Sequence, residues 1–397
     1  MSALPDTLEA VDPLQIVRLR DDHGVLSVYV DADPREQASR RPAWVVAAEN
    51  GLDEVRARVK REGDRGRWTA VQRALESLAT ELEALLDPRR PGRGRALFAT
   101  VGGGDVRTVA LQVPLVDRVV LDDVADIAPL LVALDRARPA GLVIVSHSAV
   151  RVLETRLGRV DQLAAFEVEP DTSDWRETKG PAAGSPTLAQ HGAAERDRFE
   201  RRLEEHTTRL VEGTADELDR LRARRAWDRL VLVGDPRLTK ALKEELHTDH
   251  VDVALVDRRL NGLSSSEIAE ALAPQLDEAA ARREEKLVAR ATDAALSGNQ
   301  GALGLADVIA ALEESRVEHL LFDPSRSYPG ARSPDGRLAP EGVVPPGVYP
   351  ADLIGEASLT GHLVERALAT DAAVTPLSPA GRAALAEHGG IAALLRW

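Results

Sequence analysis

Apolar positions recur in two rhythms along this chain, and the switches between them mark out its elements. Residues 25–31 form a β-rich run that Ala32-Asp33-Pro34 stops, which predicts an opening strand. Helical spacing follows over about 43–62 and 67–86, with Leu75, Leu78, Leu82 and Leu85 three and four residues apart. The β-rich runs 96–101 and 106–113 flank Gly102-Gly103-Gly104-Asp105 and predict a hairpin. Helical spacing returns from Val124 to about Ala137.

Pro139 and Gly141 open a second group. Runs 142–145 and 150–155 are joined by Ser146-His147-Ser148-Ala149, and the chain continues through 163–168 into a long polar loop from Trp175 to Gly192. That loop holds Gly180, Gly184, Gly192, Pro181 and Pro186, so it sustains neither a helix nor an interior strand. A helix is expected from near Ala193, with Phe199, Leu203, His206, Leu210 and Val211 on one stripe, holding the loop as an arm against a domain. Strand 228–234 then feeds a helix with Asp235 as N-cap and Pro236 in its first turn, and strand 251–256 follows. Ser264 and Glu267 have the spacing of a capping box ahead of a helix running to about Leu296. Strands alternating with helices predict an α/β domain with a largely parallel sheet.

Gly298-Asn299-Gln300-Gly301 begins a third group: helix 304–315, strand 317–322, a Pro- and Gly-rich loop 324–350, helix 355–369, strand 373–376, a further helix and a last strand 390–395. The expected fold class is α/β in three domains. These are an N-terminal α/β domain over 1–138, a central α/β domain over 139–297 that carries the 175–192 loop, and a C-terminal α/β/α sandwich over 298–397.

Composition narrows the function classes. Aromatics make up 3% against 44% hydrophobic residues overall, so the cores are built from Leu, Val, Ala and Ile. A formal charge of -14 argues against indiscriminate coating of nucleic acid, which rests on phosphate neutralisation by Lys and Arg, and no DNA partner is expected. With no cysteine, disulfides, thiolate metal sites and cysteine nucleophiles are excluded. No apolar run approaches the roughly 18 to 20 residues of a membrane span, and a soluble cytoplasmic protein is expected.

Few constellations carry chemistry. Gly102-Gly103-Gly104-Asp105 lies between strands and lacks the following Lys-Ser or Lys-Thr of a phosphate loop, so it reads as a turn. Ser146, His147 and Ser148 read as a turn too, since adjacent strand residues face opposite ways. Asp31 and Asp33 could hold a cation, or simply end a strand. The histidines have no metal-ligand spacing, and neither a metal nor a cofactor is expected. Arg89, Arg90, Arg93 and Arg95 sit in a Gly- and Pro-rich loop, where a planar guanidinium suits phosphate and the plainer reading is a solvated turn. Gln190, His191 and Gly192 present a side-chain amide at the junction of loop and helix.

Three stretches together resemble the archaeal and eukaryotic class of peptide-chain release factor one and its Pelota-like relatives. They resemble more closely the bacterial branch of that family, whose members include ribosome hibernation factors. The first stretch is Leu26-Ser-Val-Tyr-Val-Asp-Ala-Asp-Pro34. The second is Arg198-Phe199-Glu-Arg201-Arg202, similar to the start of the helix after the family's catalytic Gly-Gly-Gln loop, with Leu230-Val-Leu-Val-Gly-Asp-Pro236 as the strand beyond it. The third is Ser297-Gly-Asn-Gln-Gly-Ala-Leu-Gly304 with residues 308–322. Counting back from Arg198-Phe199, the Gly-Gly-Gln position falls on Gly192-Ala193-Ala194, and the family's codon-reading Asn-Ile-Lys-Ser motif does not occur in 1–138.

The resemblance implies a monomer that binds the 70S ribosome at its A site. Arg89, Arg90, Arg93 and Arg95 would approach the decoding region. Lys179, Gln190, His191, Gly192, Arg196 and Arg198 would lie near the peptidyl-transferase centre, and the third domain would contact a translational GTPase. Without the catalytic glutamine, action by occupancy is expected, as in hibernation or stress protection. A peptidyl-tRNA hydrolase using Gln190 or His191 is the catalytic alternative, and a small-molecule enzyme on the central domain is a third reading.

Overall fold

The computed structural model describes residues 11–33, 41–146, 149–167, 211–247, 251–298 and 300–397. They form two compact units, one of Met1–Ala137 with Arg283–Trp397 and the other of Arg138–Arg282.

In the first unit, a short helix α1 (Pro13–Val17) leads into β1 (Arg20–Asp31). This strand lies between β2 (Gly94–Thr100) and β4 (Arg118–Val124), with β3 (Val106–Leu111) outside β2, all antiparallel. The pleat sends Leu26, Val28 and Val30 to one face, beneath α2 (Ala43–Glu62), α3 (Arg65–Ser77) and α4 (Ala79–Leu86), where Trp44, Leu52, Val59, Leu75 and Leu85 cover them. On the other face the Tyr29 and Phe98 rings meet edge to face at 5.5 Å. The Tyr29 hydroxyl donates to the Asp126 carbonyl and Ser27 Oγ accepts from the Asp126 amide, which fixes the link from β4 to α5 (Ala128–Arg136). The single helical pattern expected over 67–86 is two helices. Ser77 Oγ bonds the Ala74 carbonyl at 2.8 Å, and the break falls at the next residue, Leu78. The helix expected from Val124 starts at Ala128 because residues 118–124 belong to β4.

The later part of this unit is a four-stranded sheet in the order β10 (Gly301–Leu303), β16 (Ile391–Leu395), β11 (Val317–Phe322), β15 (Ala373–Pro376). Only its β11/β15 pair is parallel. Val288 and Ala291, near the end of α8 (Ser265–Leu296), pack on Leu321, Ala392 and Leu394, together with Leu377 and Leu385 beside α11 (Pro379–Ala384). Helices α9 (Leu305–Glu313) and α10 (Thr360–Ala369) also pack on the sheet, which completes an α/β/α arrangement. The 324–350 loop is more structured than its Pro and Gly content predicts. It contains β12 (Gly330–Arg332) and β13 (Leu338–Pro340), which join β14 (Ile354–Glu356) in a small antiparallel sheet ordered β13-β12-β14.

The second unit is an α/β layer structure on a five-stranded sheet ordered β7 (Arg159–Glu167), β6 (Ala149–Arg156), β5 (Ala140–Val145), β8 (Arg229–Gly234), β9 (Asp252–Val256). The sheet expected to be largely parallel is mixed. Strands β5, β8 and β9 run parallel, whereas the few residues between β5 and β6, and the pair Leu157-Gly158 between β6 and β7, allow only antiparallel hairpins. One face packs under the helical residues 211–225 (α6) and α7 (Pro236–Glu245) through Val211, Leu218, Leu238 and Leu242. The other packs under the start of α8 through Ile268 and Leu272. Asp235 caps α7 by accepting from the Arg237 amide at 2.8 Å. Ser264 and Glu267 cap α8 reciprocally, the Ser264 amide donating to Glu267 Oε2 at 2.9 Å and the Glu267 amide to Ser264 Oγ at 3.4 Å. At the end of β8, Gly234 has φ +146°, and a Cβ there would lie 2.1 Å from the Val145 carbonyl oxygen, so the close passage of β5 and β8 requires glycine.

Candidate functional site

The four arginines of the 87–95 loop have three different environments. Arg95 is 1% exposed. Its guanidinium donates to the carbonyls of Gly92 (2.9 Å), Leu85 (3.0 Å), Asp87 (2.7 Å) and Arg90, and it lies 5.7 Å from the centre of the Trp44 ring. It holds the loop together from inside and offers nothing to a phosphate. Arg93 is turned back onto β1, with Nε at 2.9 Å and Nη2 at 3.2 Å from the two Asp31 oxygens and Nη2 at 3.8 Å from Asp33. The same fork gives Asp31 and Asp33 an arginine where a cation could otherwise sit. Arg89 and Arg90 are exposed, and Arg89 pairs with Asp87, whose carboxyl it holds below the usual carboxylate range. Of the four expected RNA contacts, these two have guanidinium groups facing solvent.

The Gly102–Asp105 stretch forms a turn as read, and His147 and Ser148 of the second expected turn lie outside the described residues. The Asp105 amide donates to Thr100 Oγ1 and the Gly102 amide to Asp21 Oδ2, both at 3.0 Å, closing the β2–β3 hairpin. Ser146 Oγ donates to the Ala149 carbonyl at 2.8 Å, linking the end of β5 to the start of β6.

A cleft of about 750 Å³ opens in the first unit, lined by residues of β1, β12, β14, α9 and α10. Three arginines line it, each held by a glutamate. Arg20 donates to Glu365, Arg332 Nε to Glu356 Oε1 at 3.3 Å, and Arg366 Nη1 to Glu313 Oε2 at 2.9 Å. Arg366 Nη2 also donates to the Gly336 carbonyl at 2.7 Å, and the Leu338 amide to Glu313 Oε1 at 3.1 Å, tying α9 and α10 to the small sheet. His362 sits between these pairs, with Nδ1 3.5 Å from Arg20 Nη2 and Nε2 3.7 Å from Glu356 Oε1. Burial, then the charges of Arg20, Arg332 and Arg366, lower its pKa to about 4. The ring is therefore neutral at pH 7, accepting from Arg20 through Nδ1 and turning its Nε2 proton toward Glu356. Three further carboxylates, Asp21, Asp22 and Asp123, line the cleft, so three arginines meet six acids and a net charge of -3 remains. The cleft is therefore lined by charged side chains, with each of its three arginines paired to a glutamate and an excess of carboxylates over guanidinium groups.

Residues 139–274 match the model of bacterial archaeo-eukaryotic release factor family 5. The match covers about a third of the chain and falls within the second unit. Among curated proteins, the chain is similar to the uncharacterized protein YocB of Bacillus subtilis (strain 168), at 21% identity over 239 residues, 60% of this chain and 87% of the relative. Among solved structures, it is similar to the archaeal translation termination factor aRF1, at 17% identity over 96% of this chain and 95% of the other, with a TM-score of 0.25. Archaeoglobus fulgidus Pelota is 13% identical over 76% and 79% of the two chains, with a TM-score of 0.33. Dom34 of S. cerevisiae, whose structure is titled as a translation termination-like factor interacting with Hbs1, is 10% identical over 74% and 75%, with a TM-score of 0.40.

Within the segment that matches the family model, the arm 175–192 and the residues Lys179, Gln190, His191, Gly192, Arg196 and Arg198 lie outside the described residues. The helix expected to follow the arm is described from Val211, which is buried in the core of the second unit as its apolar stripe requires. Trp227, at the far end of that helix, is buried and donates from Nε1 to Glu154 Oε1 at 2.9 Å, with Arg156 and Arg225 each 3.5 Å from the same carboxylate. Sequence reasoning missed the cleft. Its paired residues lie from 24 to 345 positions apart, and no local pattern joins them.

Proposed function

We propose that this protein binds the bacterial ribosome as a release-factor-like ligand of the A site and acts by occupying it. The family match across the second unit carries this reading. Residues 192–194, where the resemblance aligns Gly-Gly-Gln, read Gly-Ala-Ala, so the amide that would place water at the peptidyl-tRNA ester is missing there. Occupancy without ester cleavage fits hibernation or stress protection, with the arm 175–192 directed toward the peptidyl-transferase centre. A translational GTPase is the expected delivery partner, and the cytoplasm the expected compartment.

The test is co-sedimentation of the purified chain with vacant and with translating 70S ribosomes, at low and near-physiological salt. Saturable binding to vacant ribosomes that survives the higher salt, with no release of peptide from bound peptidyl-tRNA, is the expected result. Binding confined to stalled peptidyl-tRNA complexes, with ester cleavage lost in Gln190→Ala, would replace occupancy by rescue hydrolysis. No binding in either state would remove the ribosomal reading.

A further inference from the structure

Four large apolar side chains stand exposed within twelve residues of one another: Val343 (50%), Val344 (44%), Tyr349 (76%) and Ile354 (50%). The other exposed large hydrophobics among the described residues are scattered singly along the chain, as is ordinary for a protein surface. The cluster occupies the connection from β13 to β14. That connection is held in shape by its own turns, with the Val343 amide donating to the Pro340 carbonyl at 3.1 Å, Val348 to Pro345 at 3.2 Å and Asp352 to Tyr349 at 3.0 Å. Arg337 Nη1 pins it from below through the Pro346 carbonyl at 2.8 Å. Pro345, Pro346 and Pro350 stiffen the backbone further. A preorganised apolar projection of this kind loses little entropy on binding and marks an interaction site.

Its charge selects the partner. Residues 338–365 contain Glu341, Asp352, Glu356 and Glu365 and neither lysine nor arginine. Ile354 belongs both to the projection and to the wall of the cleft that carries a net charge of -3. Phosphate would be repelled from such a surface, because nucleic-acid binding depends on cationic groups that neutralise the backbone. An apolar protein patch bordered by Lys and Arg is complementary to it.

The geometry points to a protein-docking face made of the 341–354 projection and the adjoining acidic cleft, whose partner is an apolar surface rimmed by basic side chains. Resting on the ribosomal reading above, this face meets a ribosomal protein and not rRNA. It also gives a chain of net charge -14 a way to sit on a polyanionic particle, since its acidic side turns toward basic protein.

A benzophenone-bearing side chain placed at Tyr349 of the full chain, with vacant 70S ribosomes, tests this. Tyr349 is three-quarters exposed, so the probe disturbs no core. Expected are cross-links to ribosomal protein in the particles that co-sediment. The double change Val344→Asp with Tyr349→Asp should weaken co-sedimentation tenfold or more, while Leu296→Asp, at an exposed apolar residue outside the projection, leaves it unchanged. Undiminished binding of the double variant overturns the proposal. So does co-sedimentation with cross-links to rRNA, or with none, and in each of these cases ribosome binding itself stands. Absence of co-sedimentation for the unmodified chain overturns both readings.

Discussion

Arg95 reaches four carbonyls that all lie within ten residues of it, whereas Arg20, Arg332 and Arg366 each meet a glutamate at least 24 residues away. The first arrangement is a staple inside one loop, with the cation buried and its donors spread over backbone acceptors. The second is a set of partly exposed ion pairs around a cleft, one of which, Arg20 with Glu365, joins distant ends of the chain. Physically they differ in what is left behind when the arginine goes: several inward carbonyls that each lose a donor in one case, one solvated carboxylate in the other.

That difference should appear first in stability. Arg95→Leu is expected to cost about 3 kcal/mol or more, since it removes a buried guanidinium that donates to four carbonyls, of which, among the described contacts, Asp87's alone keeps a second close donor in the Arg90 amide. Arg95→Lys should recover only a minor part, because an ammonium cannot present the same fork. Denaturant unfolding followed by tryptophan fluorescence reads both. Arg366→Leu should cost less, roughly 1 to 2 kcal/mol, as Glu313 can turn to water and only the Gly336 carbonyl loses a close donor. Equal costs for the two arginines would erase the distinction between staple and ion pair.

Acid sharpens it next. His362 is held neutral among three arginines, with its pKa lowered to about 4. In the unfolded chain it takes up a proton as pH falls through about 6.5, while the folded chain refuses it until near 4. Its contribution to stability is therefore present above about 6.5 and is lost progressively on the way down to 4. Melting temperatures measured from pH 7 to pH 4 should fall less steeply for His362→Phe than for the parent chain. Parallel curves would show that the cleft does not exclude the proton. The 87–95 loop holds no histidine and should give no comparable signature.

Local chemistry was legible where it is local. The hairpin at 102–105, the full span of α2, the Asp235 cap and the reciprocal Ser264 and Glu267 cap could be read from neighbouring residues because their partners are neighbours. The three strands of the small sheet were not, since elements three residues long carry no measurable alternation and are held by pairing across a loop full of Pro and Gly. The central sheet was read as largely parallel because alternation with helices outweighed two short hairpin connections. Arg95 gave no warning of burial at all. A charged residue enters a core when its surroundings supply acceptors, and those acceptors are carbonyls, which every sequence has everywhere. The resemblance that the family model also finds over 139–274 was legible through the stretches at Arg198-Phe199 and Leu230–Pro236, whereas the cleft depends on contacts as distant as Arg20 with Glu365.

The smallest effect on stability separates the arginines that face solvent from those that do not. Arg89 has a side chain 90% exposed, paired only with the nearby Asp87 among the described contacts, and Arg90 is exposed beside it. Arg89→Ala with Arg90→Ala should change unfolding free energy by no more than about 0.5 kcal/mol. Its consequence belongs to binding. If these two side chains contact rRNA, each releases counterions from the phosphate backbone, and the plot of log affinity against log salt should become shallower by roughly 1 to 2 in the double variant. An unchanged slope removes the loop from any RNA interface. The ribosome would then be met by the acidic protein-docking face and the second unit, with the four arginines of the loop serving the fold and the solvent alone.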